Sequence, residues 1–356
     1  MTRMYVATGT ALAVLDHRND RTGGAGGAWQ AELRLVGLPT QCVAADPLRP
    51  ERVYCGTFGR GLWRSDDAGD SWVPVGQDEH GPLDGRDIPY GEVMSVAVSA
   101  SERVGGYGVV WAGTEPSAIF RSEDCGRSWQ ERPALREVPS APTWSFPPRP
   151  WTSHVRWIAP DPAAPARLFA GIEAGGVMRS LDAGQTWEDS KPGAQRDCHT
   201  LATHPMAPGR VYEASGGGYA QSVDAGATWQ RIDEGLAWRY LWGLAVDPAD
   251  PETIVVSASR SARQAHDPAA AEATLYRRAA GTPWQEVRAG LPEARGTTAC
   301  VVATNMAEAG VFYAAPHQGG IYRSADAGQK WEALEIAWPV GHRPLHITGL
   351  VVVEAD

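Results

Sequence analysis

Long hydrophobic runs are missing from this chain. No stretch of its 356 residues approaches the roughly 20 apolar residues of a membrane-spanning helix, and no charged segment followed by a short apolar one opens it as a secretory leader would. The expected location is therefore cytoplasmic, with no membrane partner. Lysine is almost absent: Lys191 and Lys330 are the only two among 32 basic residues, set against 42 acidic ones. A formal charge of −10 disfavours a nucleic-acid surface, so no nucleic-acid partner is expected. Cysteine is scarce, and the five present form no Cys-x-x-Cys pair. A hairpin turning at residues 47–50 would set Cys42 opposite Cys55. Opposed Cβ atoms stand about 4.5–5.5 Å apart, wide for a relaxed disulfide, so two buried free thiols are expected. Sustained 3.6-residue apolar periodicity is lacking too, which excludes an all-helical fold.

What the chain has instead is turns. It carries 40 glycines and 27 prolines, and it repeats one signature, Ser-x-Asp-x-Gly-x-x-Trp, five times. The copies are Ser65, Asp67, Gly69, Trp72; Ser122, Asp124, Gly126, Trp129; Ser180, Asp182, Gly184, Trp187; Ser222, Asp224, Gly226, Trp229; and Ser324, Asp326, Gly328, Trp331. Ser and Asp side chains bond nearby backbone N–H groups and stabilise a tight loop, while Gly permits a positive φ. Strand-like runs precede the signature, as in Gly61-Leu62-Trp63-Arg64 and Gly320-Ile321-Tyr322-Arg323. Degenerate copies at residues 15–29 and 277–284 bring the tryptophans to seven.

Repetition at this period means stacked units of a few strands each. The signature resembles the Asp-box repeat of the BNR-type β-propellers, found in sialidases, xyloglucan-active glycoside hydrolases, sortilin-like receptors and photosystem assembly factors. The resemblance covers almost the whole chain and implies an all-β, seven-bladed propeller of four-stranded blades in one domain, residues 1–356. Blade one is expected to be shared between residues 4–36 and 345–353, so that the C-terminal strand joins the N-terminal blade and closes the ring. The sialidase Arg-Ile-Pro string has its nearest counterpart in Arg86-Asp87-Ile88-Pro89, at another spacing and position. No catalytic residue carries over from these families.

Loop lengths point to a functional face. Turns between first and second strands are short and alike, whereas the insertions at residues 76–91, 133–153 and 257–274 open on the opposite face. Insertions on one face of a repeat fold often mark the binding face. Aligned inner strands place Glu92, His154, Arg156, Asp197, His199, Tyr240, Trp242, Thr298 and His346 around the channel mouth there, and the following loops add Glu115, Glu173 and His317.

Paired carboxylates beside His and Arg can supply acid, base and anion recognition. The leading expectation is a pocket enzyme, glycoside hydrolase-like or lyase-like, acting on a glycan or other polar small molecule. Glu173 and Asp197 are its acid/base candidates, assisted by His154 and His199. Arg156, Glu92, Glu115, Tyr240 and Trp242 are the substrate-binding candidates. A second reading makes His154, His199 and His346 ligands of a divalent transition metal. A third is a non-catalytic, protein-binding scaffold or assembly factor. Trp144, Trp151, Trp238 and Trp338 lie near the same face, as sugar platforms or loop anchors.

Overall fold

The computed structural model describes residues 2–17, 28–76, 87–317 and 319–354. They form seven sheets arranged as a propeller, six of them antiparallel and running outward from an inner strand in chain order, while in blade one Ile336–Ala337 adds a short parallel strand to the outer edge at Trp29–Arg34. Blade two shows the pattern: Thr40–Asp46, Arg49–Thr57, Leu62–Ser65 and Val73–Val75. Blades three, five, six and seven begin at Glu92–Val104, Cys198–Thr203, Tyr240–Asp247 and Val302–Thr304. Blade four has three strands from Val155–Pro160 onward, with one bridge between Arg179 and Glu188 in the fourth position.

The ring closes as the repeat count implied. Strand Gly349–Glu354 pairs antiparallel with Thr2–Ala7 from Thr2↔Glu354 to Ala7↔Gly349, becoming the inner strand of blade one. Each sheet is buried on both faces by its neighbours, which is why its strands read as continuous apolar runs. Alternate residues of Thr2–Ala7 serve alternate interfaces. Met4 and Val6 pack with Tyr313 and Ile321 of blade seven, while Tyr5 and Ala7 pack with Val43 and Val53 of blade two.

The repeated signature builds both a turn and a joint between blades. In the first copy Ser65 Oγ accepts from Gly69 N at 2.8 Å, and Asp67 accepts from Ser65 Oγ, Ser71 N and Ser71 Oγ. The next three copies repeat this set through Ser128, Thr186 and Thr228, a position the eight-residue pattern left open. The residue before each glycine adopts a positive φ, as at Ala68 and Ala183; in three copies its N–H bonds the turn between the first and second strands of its own blade, and Ala68 N–H bonds Glu51 just past that turn. Those turns and the boxes therefore share one face.

An arginine from the preceding blade then bonds the carbonyl of that same residue: Arg3 to Ala68, Arg64 to Cys125, Arg132 to Ala183, Arg179 to Ala225 and Arg277 to Ala327. A side chain of the preceding blade also lies where a glycine Cβ would stand. Tyr5 and Phe169 come within 2.9 and 2.8 Å of that point at Gly69 and Gly226. Glycine is required there twice over, for its φ and for the close approach.

The cysteine expectation needs one correction. All five thiols are free, but Cys42 pairs with Gly56 and Cys55 with Val43, because an irregularity between Ala45 and Asp46, next to the turn, shifts the register. The two are therefore not opposed. Part of the degenerate copy at 15–29, part of the 76–91 insertion, and Arg86 lie outside the described residues.

Candidate active site

The mouth residues owe their aim to a recurring irregularity. The inner strand of blades two to six breaks register one to three residues from its start, at Gln41, Met94, Arg156, His199 and Trp242-Gly243. A β-bulge adds twist and re-aims a side chain. Three of the candidates, Arg156, His199 and Trp242, occupy these bulges. The acids come from the adjoining strand ends: Glu115 closes Tyr107–Glu115, and Glu173 follows Leu168–Ile172 directly.

His154, only 1% exposed, is held from both sides. Its Nδ1 lies 3.1 Å from Glu115 Oε2 and its Nε2 2.9 Å from Glu173 Oε2. Arg149 grips Glu115 bidentately, at 2.8 and 2.6 Å. Burial acts to raise the Glu115 pKa, but the His154 and Arg149 bonds outweigh it and bring it down to about 2. At Glu173 burial pushes the same way, and the His154 bond with the Arg156 charge wins, leaving the pKa lowered. Burial disfavours the His154 cation, yet the two carboxylates raise its pKa. The result is a connected run of side chains, Arg149, Glu115, His154 and Glu173, in which each carboxylate is flanked by groups that favour its charged form.

A second group adjoins the first. His199 is fully buried, and its Nδ1 donates to the Leu241 carbonyl at 2.6 Å. Its Nε2 has no hydrogen-bond partner among the described residues, and Asp197 Oδ2 stands 3.5 Å away, beyond the ordinary N–H···O range. The Asp197 pKa is lowered: burial opposes this, and the His199 ring and the Ala174 N–H favour the carboxylate. One donor atom each from Glu173, Asp197 and His199 lies within 4.8 Å of the other two. Above them the Arg156 guanidinium covers the Trp242 ring at 4.4 Å, its Nε 3.9 Å from Glu173, and donates no hydrogen bond to a described residue.

The structure thus brings Glu115, Glu173, His154, Arg156, Asp197 and His199 together, with the rings of Tyr240 and Trp242 at 4.9 and 4.7 Å from His199. Glu92 is half-buried at the edge, cross-strand from Glu115. The three histidines expected as a ligand set are not grouped. Both His154 nitrogens are taken by carboxylates, and His346 is exposed and bonds no described residue, although the Arg156 charge reaches it. The side chain of His317 lies outside the described residues. Trp144 and Trp238 are buried anchors and Trp338 packs against the core, while Trp151 is 80% exposed.

Two contributors were not visible in the sequence. Arg149 sits in the Pro-rich insertion, where nothing distinguished it from its neighbours. His266 ends the short helix Ala262–His266, accepts or donates at 3.1 Å with Tyr240 Oη, and stacks edge-on against Trp242. Burial, with the charges of His199 and Arg156, lowers its pKa to about 4.

With this geometry in view, comparison with known proteins adds the architecture. No protein-family model matches the chain, and no curated protein matches it significantly. Solved structures do match. An ancestral GH74 enzyme is 18% identical with a TM-score of 0.59 over 88% of this chain, which spans 38% of that enzyme's length. YCF48 bound to a D1 peptide is 16% identical, TM-score 0.53, with 83% of this chain and 81% of that one covered. The WD40 repeats of RRP9 are 12% identical, TM-score 0.56, covering 98% and 88%. The likeness is one of fold. Among the described residues no helix is long and apolar enough to cross a membrane.

Proposed function

We propose that the channel mouth is the active site of an enzyme acting on a carbohydrate or another polar small molecule, and that it works by accepting a proton. The observation that carries this reading is the charge state of the acids. Glu115, Glu173 and Asp197 all have lowered pKa values, so none is kept as the neutral acid that protonation of a glycosidic oxygen requires. Elimination or base-assisted hydrolysis fits better than acid-first glycoside cleavage.

Asp197 is the reactive base in this scheme, because 36% of its side chain meets solvent while Glu173 and His199 are buried beside it. The unbonded donors of Arg156 hold an anionic or strongly polar group of the substrate. Trp242 and Tyr240 offer flat faces to its apolar side. His154, enclosed by two carboxylates, positions Glu173.

The test is turnover on neutral polysaccharides, uronate-containing polysaccharides and aryl glycosides, with reducing ends and unsaturated products measured separately. Asp197→Asn is expected to lower turnover by about 10²–10⁴-fold with its melting temperature held. Undiminished turnover in that variant removes Asp197 from the chemistry. One observation favours a second reading, a surface that takes a protein segment: Trp151 stands 80% exposed on the loop over the mouth. A partner whose binding needs Trp151 but not Asp197, in a protein inert on every substrate, would establish that reading instead.

A further inference from the structure

We infer that Glu173, Asp197 and His199 form a binding site for a divalent first-row transition metal ion. The site shares its residues with the proposed reacting centre, and the inference rests on that placement without depending on turnover.

The argument begins at His199. Its Nδ1 hydrogen is committed to the Leu241 carbonyl at 2.6 Å, so the ring can offer a metal only Nε2. That nitrogen is buried and has no hydrogen-bond partner among the described residues, and a carboxylate oxygen of Asp197 lies 3.5 Å from it. A buried ring nitrogen with no partner and a carboxylate oxygen this close are stabilised by a cation between them. A proton could fill that role, but the separation is too long for a good N–H···O bond. A metal ion with donor distances of about 2.0–2.2 Å spans such a gap and recruits a third donor from Glu173, already within 4.8 Å.

The surroundings match what a ligating group needs. A metal-binding imidazole almost always donates its other N–H to a carbonyl or carboxylate, as His199 does, and ligating carboxylates are themselves hydrogen-bonded. Glu173 receives His154 at 2.9 Å, and Asp197 receives the Ala174 N–H at 3.3 Å. One imidazole with two carboxylates suits manganese, iron, cobalt or zinc, while the nitrogen donor disfavours magnesium and calcium. Three protein donors leave positions for water or substrate on the open side, where Asp197 meets solvent. A metal there would polarise a bound oxygen of the substrate and lower the pKa of bound water, which is the proton-accepting chemistry the mouth favours.

The experiment uses untagged full-length protein, stripped with chelator and titrated calorimetrically with Mn²⁺, Co²⁺ and Zn²⁺ chlorides. One equivalent is expected to bind, and Co²⁺ should develop visible absorption bands. Asp197→Asn and Glu173→Gln should each weaken binding by at least about tenfold, with cooperative melting confirming that both variants fold. His346→Ala should leave affinity unchanged. Absence of saturable binding, or undiminished binding in Asp197→Asn, overturns the inference; a loss in His346→Ala equal to that in Asp197→Asn overturns the ligand set. Turnover by stripped protein that binds no metal would sink this site and leave the base reading standing. Stoichiometric binding with no turnover on any substrate would do the reverse.

Discussion

At the scale of single residues, the mouth is organised by enclosure. Glu115 has little exposed surface, yet it is more acidic than a free carboxyl because Arg149 and His154 both donate to it. Its folded pKa of about 2 lies below the ordinary 4.5, so the stability it contributes is complete above pH 4.5 and is lost as pH falls toward 2. Melting temperatures of the wild type and Glu115→Gln should therefore differ most near pH 6 and converge only as pH approaches 2; a constant offset would mean that the carboxylate charge is not the stabilising element. His266 also loses stability on acidification, in a higher pH window and because its cation is disfavoured. Its pKa of about 4 lies below the usual 6.5 of histidine, so acidification from pH 6.5 to 4 favours the unfolded chain, in which the ring protonates freely. Replacing it with Gln should flatten that part of the stability profile. The sequence placed Glu115 in a loop after a second strand and hid Arg149, because partnership across a 34-residue separation leaves no local pattern.

At the scale of elements, the box is a joint. Asp182 accepts from Ser180 Oγ, Thr186 N and Thr186 Oγ, so Asp182→Ala should cost about 2 kcal/mol, more than one local bond is worth, since net contributions are near 1 kcal/mol each. Denaturant unfolding measures this, and ligand or metal binding at the mouth should be unaffected, because the boxes share the face of the short turns. Arg179→Met should cost about 1–2 kcal/mol by releasing the Ala225 carbonyl and Glu188. A neutral result would make the arginine a passenger. Blade number was legible because each box must solve the same turn with the same Ser, Asp and Gly. The bulges at Arg156, His199 and Trp242 were not, since an inner strand buried on both sides reads as an apolar run with or without an extra residue. The sequence therefore named the mouth residues without showing how they are aimed, and it grouped His154 with the metal ligands where the structure gives both its nitrogens to carboxylates.

At the scale of the whole molecule, closure depends on one strand. Removing residues 347–353 takes away the pairing of Thr2–Ala7 with the inner strand of blade one and strips Ile347, Leu350 and Val352 from the interface with blade seven. The truncated protein should aggregate or melt without cooperativity in a calorimetric scan. An unchanged sharp transition would mean that the ring does not need its seam. The arginine bonds between blades also have a direction: in every described case the arginine precedes the carbonyl it holds, by 46 to 65 residues. On the ribosome each blade would thus emerge to find its clasp already made, and assembly can proceed vectorially through contacts of modest sequence separation. The first strand is the exception. Its partner lies as many as 352 residues downstream, at Glu354. Until that strand is made, the nascent chain carries an open β-edge at Thr2–Ala7, a time-limited exposure to chaperones and to other nascent chains that lasts through the synthesis of all seven blades.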